Sequence, residues 1–250
     1  MNQKNIKINP KICLIFNSYG QFEQVYDFIK SEDIFKRIYK IFLPFSNISK
    51  ITGVRLPYVI FDSERGQVIN AIKSSGVDCV LIDNIGHIDI VKEANADIEL
   101  FGNFGLNVAN SYTLDEYKKM GFKDIILSPE LNFAQIRDIN KTINCGIIAY
   151  GRTHVMISEN NIAQNNSYLT DKTGAKFLAC DDFNNKSIIY NSVPVYLADK
   201  KDLYKNLGLF FIALNFTDEN PEQIKKIISD YAISKDNIKP PVKFTRGYKV

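Results

Sequence analysis

Seven positions carry side chains that can do chemistry where apolar runs give way to turns: Asn107, Asn110, Glu130, Tyr150, Arg152, His154 and Asp171. Glu130 follows Ser128-Pro129 at the end of one run. A carboxylate there becomes a general base if burial raises its pKa, although it can equally stabilise the N-terminus of the next helix. Tyr150-Gly151-Arg152 closes another run, and the forked guanidinium of Arg152 can clamp a carboxylate or phosphate, or pair with Glu130. Asn107 and Asn110 can hold a substrate amide or carboxylate, or build Asx turns; Asp171 can contact a substrate or simply organise a turn with Gly174. His154 and His87 are the two histidines, and neither has a paired histidine at metal-ligand spacing. There is no GxSxG elbow and no cysteine beside a histidine in a motif, so no nucleophile announces itself. The candidate catalytic set is therefore Glu130, Arg152 and Tyr150. Asn107, Asn110, His154 and Asp171 are candidates for substrate binding, and no metal ligand or cofactor is expected.

These side chains need elements to position them. Short apolar runs recur at 12–16, 38–43, 58–61, 79–82, 106–108 (with an approach from Ile98), 125–127, 146–149 and 210–214. Most are continuous rather than alternating, the pattern of strands covered on both faces and hence parallel. Between them, segments 22–29, 67–72, 88–94, 114–120, 133–139 and 223–231 space their apolar residues as helices do, for example Ile224, Ile227, Ile228 and Tyr231. Thr113 with Glu116 suggests a capping box, Gly121 a helix stop, Gly76 another, and Asn220-Pro221 a cap before a first-turn proline. The unit from Phe45 to Pro57 has only a weak helical pattern. Eight strands alternating with helices predict one (β/α)8 TIM-type barrel over 1–250, with active-site groups at the C-terminal strand ends. A doubly wound sheet would carry a glycine-rich first turn, and Asn17-Ser18-Tyr19-Gly20 is not one. After the seventh strand a long excursion, 152–207, with polar stretches at Asn160, Asn161, Asn165 and Asn166, is predicted to form a β-rich insertion covering the barrel mouth.

Composition narrows the function classes. The chain has 250 residues, 45% hydrophobic and 24% charged, a globular balance with length for a large core. Its net charge of +3, from 31 basic and 28 acidic residues, gives no bulk field for a polyanion such as RNA. The polar start, Met1 to Pro10, and the short run behind it predict neither a signal peptide nor a membrane span. Four scattered cysteines without CxxC spacing read as buried hydrophobes in a reducing, cytoplasmic setting.

Seven blocks in order resemble one known family. They are Leu106-Asn107-Val108-Ala109-Asn110-Ser111, Leu127-Ser128-Pro129-Glu130-Leu131, Ala149-Tyr150-Gly151-Arg152 with Met156, Leu169-Thr170-Asp171-Lys172, Tyr190-Asn191-Ser192-Val193-Pro194, Phe216-Thr217-Asp218-Glu219 and Phe244-Thr245-Arg246-Gly247-Tyr248. Together they resemble the collagenase-like peptidases of family U32, in particular the C-terminal barrel region of its long bacterial members, from Leu106 to Val250. The resemblance implies a barrel, a peptide-hydrolase activity of unclassified type, or a role like that of relatives that modify RNA or the ubiquinone ring, some with an iron–sulfur cluster. Where those relatives place cysteines this chain has Ser158-Glu159-Asn160-Asn161, Asn166-Ser167-Tyr168 and Asn184-Asn185-Lys186-Ser187, and Lys172 replaces the motif's Arg. Asn and Ser cannot replace thiolates, so no cluster is expected. Two functions follow. One is a U32-type peptide hydrolase or RNA/small-molecule modification factor acting at the mouth on a peptide or small carboxylate. The other is a non-catalytic member serving as partner subunit or binding module.

Overall fold

The computed structural model describes residues 9–48, 53–162, 167–233, 238 and 240–248. In chain order the elements are β1 (Lys11–Ile15), α1 (Tyr19–Ile29), α2 (Glu32–Phe35), β2 (Ile38–Pro44), β3 (Gly53–Arg55), α3 (Asp62–Ser75), β4 (Cys79–Ile82), α4 (His87–Ala94), β5 (Glu99–Gly102), α5 (Ser111–Lys119), β6 (Phe122–Ile126), α6 (Phe133–Asp138) and β7 (Asn144–Gly151). There follow β8 (His154–Ser158), β9 (Ser167–Thr170), β10 (Lys176–Asp182), β11 (Lys186–Tyr190), β12 (Val195–Tyr196), α7 (Lys201–Tyr204), β13 (Phe211–Asn215) and α8 (Pro221–Ala232). Strands β1 to β7 and β13 pair in parallel, and β13 joins β7 to β1, which closes an eight-stranded TIM-type barrel.

The continuous apolar runs have the two faces expected of covered strands. In β1, Cys13 and Ile15 point into the barrel with Phe42, Leu81, Phe101, Ile126, Ile148 and Phe211, whereas Ile12 and Leu14 join the outer layer beneath the helices. Helix α8 begins as its sequence suggests, with Asn220 accepting from Gln223 N–H and Pro221 in the first turn. Gly76 closes α3 in the left-handed conformation.

Three local expectations are corrected. The third strand is Gly53–Arg55, not 58–61, because the pairing partners Phe42, Leu43 and Val80 lie opposite residues 53–55. The fifth is Glu99–Gly102; Leu106 belongs to a short 3-10 turn that Asn107 ends at φ 50°. Helix α5 is capped by Asn110, whose side chain accepts from Thr113 N–H, rather than by Thr113. Residues 45–57 contain a 3-10 turn at 45–47 and no α-helix among the described residues. Asn165, Asn166 and part of the polar N-terminus lie outside the described residues.

Between β7 and β13 the chain leaves the barrel and builds a four-stranded antiparallel sheet in the order β8-β11-β10-β9. One face of this sheet packs Leu178, Cys180, Ile188 and Tyr190 onto Tyr58 from the loop after β3. A buried ion pair anchors it: Lys186 Nζ lies 2.6 Å from Glu64 on α3, with Asn184 donating to the same carboxylate oxygen at 2.8 Å. On its return the chain adds β12 antiparallel to β7. Near the C-terminus, Thr245 bonds Pro194 and Tyr196, and Tyr248 accepts from the Ile148 N–H inside the wall, 3.0 Å away. Arg246 grips Asp199 with two hydrogen bonds of 2.5 and 2.8 Å. Among the described residues, no helix is long and apolar enough to cross a membrane.

Candidate active site

The C-terminal ends of the barrel strands deliver a polar ring: Asn17 after β1, Arg55 ending β3, Asp83 after β4, Asn103 after β5, Ser128 after β6 and Arg152 after β7. Arg55 is 5% exposed and donates to Asn17 Oδ1 at 3.3 Å. Burial opposes its charge, but the oxygens of Tyr190, Tyr58, Asp182 and Asp83 more than offset this, so the guanidinium stays protonated. Asp83 is 8% exposed. Burial pushes its carboxyl up to about 6 against the lowering effect of Asn103, Arg55 and Gly105. Its oxygens accept from Asn103 Nδ2 at 2.9 Å and from Gly105 N at 3.2 Å. Gly105 is required here: a Cβ on it would lie 2.6 Å from Asp83 Oδ1.

Two grooves open beside this ring. One, of about 390 Å³, is lined by Tyr58, Asp83, Ile85, Leu106, Tyr117 and His154, among others. The other, of about 530 Å³, runs past Asn107, Ser128, Glu130, His154, Asn191 and Thr245. They share Gly105 and His154. His154 begins β8 and lies between two rings, stacked on Phe104 at 4.8 Å and edge-on to Tyr58 at 4.6 Å. Burial, helped by Arg55, lowers its imidazole to about 4, so it is neutral at physiological pH, and its buried Nδ1 has no hydrogen-bond partner. Asp83 and Glu130 are the only formally charged residues among the groove linings.

The residues singled out in the sequence part company here. Glu130, Asn107 and His154 line the grooves. Glu130 is exposed, and its backbone N–H reaches Ser128 Oγ at 3.4 Å. Asn107 accepts from the Ser128 hydroxyl at 2.7 Å, which engages the one hydroxyl that follows β6. Arg152 does not pair with Glu130: it lies 3.5 Å from Asp218, after β13, and donates to the carbonyls of Asn191 and Ser192 at 3.2 and 2.5 Å. The short return through Gly151, at φ 117° and packed against the Asn215 carbonyl, turns its side chain that way. Tyr150 reaches the loop between β13 and α8, where its hydroxyl donates to Glu219 at 2.8 Å, and burial, above all, pushes its pKa up. Asn110 is the α5 cap, and Asp171 holds the β9–β10 turn by accepting from Thr173 and Ala175. Neither lines a groove.

Asp83, Arg55, Asn103 and Tyr58 were missed. Asp83 stands directly after the run 79–82, the same signal that drew attention to Glu130. Arg55 carries no such signal, because the three-residue strand it ends is less apolar than the stretch at 58–61 that follows it.

The residues present do not fit an iron–sulfur cluster. Cys180, the one cysteine of the insertion, is 1% exposed, and burial pushes its thiol up to about 12. Among the described residues, no group of three or more His, Cys, Asp or Glu side chains is arranged to hold a metal ion.

No curated protein sequence matches the chain. Among solved structures it is similar to the native KDPGal structure, at 10% identity and a TM-score of 0.49, covering 92% of this chain and 95% of that one. It is also similar to the spore cortex-lytic enzyme SleL of Bacillus cereus, at 9% identity and a TM-score of 0.39, over 89% of this chain and 74% of that one. The family model for peptidase family U32 matches residues 58–177, which takes in β4 to β9, Asp83, both grooves' central residues and His154. The blocks at 190–194, 216–219 and 244–248 lie beyond that match. Residues 58–177, just under half of the chain, thus match the family model of peptidase family U32.

Proposed function

We propose that this chain is a U32-type hydrolase that cleaves amide bonds of peptides at the barrel mouth, with Asp83 as general base. The observation that carries the reading is the juxtaposition, in one groove, of a buried carboxylate at about 6 and a neutral imidazole. A carboxylate of that basicity is ionised at neutral pH yet strong enough to take a proton from water. The water oxygen bonds to the amide carbon as its proton passes to Asp83. The carbon–nitrogen bond then breaks as Asp83 returns that proton to the leaving amine. A neutral His154 can donate its N–H to the oxyanion that develops in between. Asn103 and Gly105 hold the carboxylate in place throughout. The linings favour a peptide over RNA or a small carboxylate, because no Lys or Arg lines either groove.

The test is incubation of the purified protein with gelatin and defined peptide mixtures, read by mass spectrometry beside Asp83→Asn. Cleavage should rise with pH through about 6 and fall at least about 100-fold in the variant. Cleavage no greater than that of Asp83→Asn removes the hydrolase reading. A binding module is the second reading, favoured by the way the inserted sheet packs Leu178, Cys180, Ile188 and Tyr190 onto Tyr58 beside the mouth. A stoichiometric protein partner recovered with an uncleaved peptide would support it.

A further inference from the structure

We infer that the groove beyond His154 selects a basic residue of the bound peptide, with Glu130 as the specificity-determining side chain. This deepens the hydrolase reading and rests on it for the identity of the ligand as a peptide, but its own content is the charge preference.

The two grooves share Gly105 and His154 and so lie side by side, one on each flank of His154. An extended chain crossing the mouth at His154 would reach both. The two ends differ in chemistry. On the Asp83 side the walls are Ile85, Leu106, Tyr117 and Ile157, which suit an apolar side chain. On the far side Asn107, Ser128, Glu130 and Asn191 line the groove. The donors among them are partly committed: the Ser128 hydroxyl donates to Asn107. The two guanidiniums adjoining lining residues are engaged elsewhere, Arg152 with Asp218 and two carbonyls and Arg246 with Asp199. Glu130 forms no ion pair or side-chain hydrogen bond among the described residues, in contrast to Glu64, Glu93 and Glu99, each paired with a Lys or Arg. A groove bearing one unpaired carboxylate and no Lys or Arg among its lining residues is complementary to an ammonium or guanidinium group and repels acidic residues.

The experiment uses fluorescein-labelled nonapeptides with Phe at a fixed position and Arg, Gln or Glu two residues towards the C-terminus or the N-terminus, titrated by anisotropy against Asp83→Asn so that binding is read without turnover. The Arg peptide of the productive register should bind roughly fivefold more tightly than its Gln counterpart at low salt, as expected for one exposed ion pair. In the Asp83→Asn/Glu130→Gln double variant that ratio should fall to about one, and in Asp83→Asn/Glu130→Lys the Glu peptide should become the preferred ligand. Equal binding of the Arg and Gln peptides in both registers, or a ratio that survives Glu130→Gln, overturns the inference. Cleavage of peptides by the wild-type chain with no charge preference likewise overturns the inference while leaving the hydrolase reading intact. An Arg preference that depends on Glu130, with no cleavage, supports the inference and removes the hydrolase reading.

Discussion

His87 offers a measurement of how deeply the barrel buries a titratable group. It opens α4, is 2% exposed, and neither ring nitrogen has a hydrogen-bond partner. Burial lowers its pKa from 6.5 to about 4. The unfolded chain therefore takes up a proton near 6.5 that the folded chain refuses until about 4. Stability is lost as pH falls, beginning near 6.5 and complete below 4. The shift of about 2.5 units corresponds to roughly 3.4 kcal/mol in full, of which about 2 kcal/mol is already lost at pH 5.0 and almost none at pH 7.5. Buried acids such as Asp83 and Asp182, whose pKa values burial raises, push the opposite way on acidification. The total curve is thus a sum, and the His87 contribution must be isolated by difference. Urea titrations of the wild type and His87→Leu at pH 7.5 and 5.0 do this, since His154 and the acids are common to both. The variant should lose about 2 kcal/mol less than the wild type between the two pH values. At pH 7.5 it should be at least as stable, because Leu brings no unpaired nitrogen into the core. Equal losses in the two proteins would refute the reasoning.

Four other outcomes follow from the geometry. Glu64→Ala strips the partner from a buried Lys186 and should destabilise the chain by about 3–5 kcal/mol, whereas the double change Glu64→Leu/Lys186→Met should recover most of that in the same urea titration. Tyr150→Phe removes a hydroxyl that faces Glu219, so it should cost about 1–2 kcal/mol in thermal unfolding and leave peptide turnover unchanged. Arg152→Met frees Asp218 and two carbonyls, and calorimetry should show Tm lower by several degrees. Gly105→Ala drives a methyl group into Asp83 and should abolish turnover while circular dichroism still reports a folded barrel.

Local chemistry explains why so much of the fold could be read in advance. A strand covered on both faces must be apolar throughout, and 79–82 is such a run with no alternative partner pattern, so β4 falls where the residues put it. Asn220-Pro221 and Gly76 act within a few residues of themselves and needed no tertiary partner. β3 is different. Three residues carry too little pattern to compete with the more apolar stretch at 58–61, and only pairing with β2 and β4 selects 53–55. Asn110 likewise won the α5 cap because its side chain, one residue ahead of the helix, already faces Thr113 N–H.

The residue types at the strand ends, and so the presence of a polar mouth, were determined by the sequence alone, as was the likeness to peptidase family U32. Which of those residues meet was decided by the tertiary structure. Arg152 lies one residue past β7 and Glu130 four past β6, yet a left-handed Gly151 and the arrival of Asp218 after β13 send the guanidinium to a partner 66 positions away in the chain. Asp83 owes its raised pKa, and His154 its neutrality, to burial beneath segments remote in sequence. Desolvation and charge pairing depend on distance in space, and no spacing along the chain encodes them until the barrel has closed.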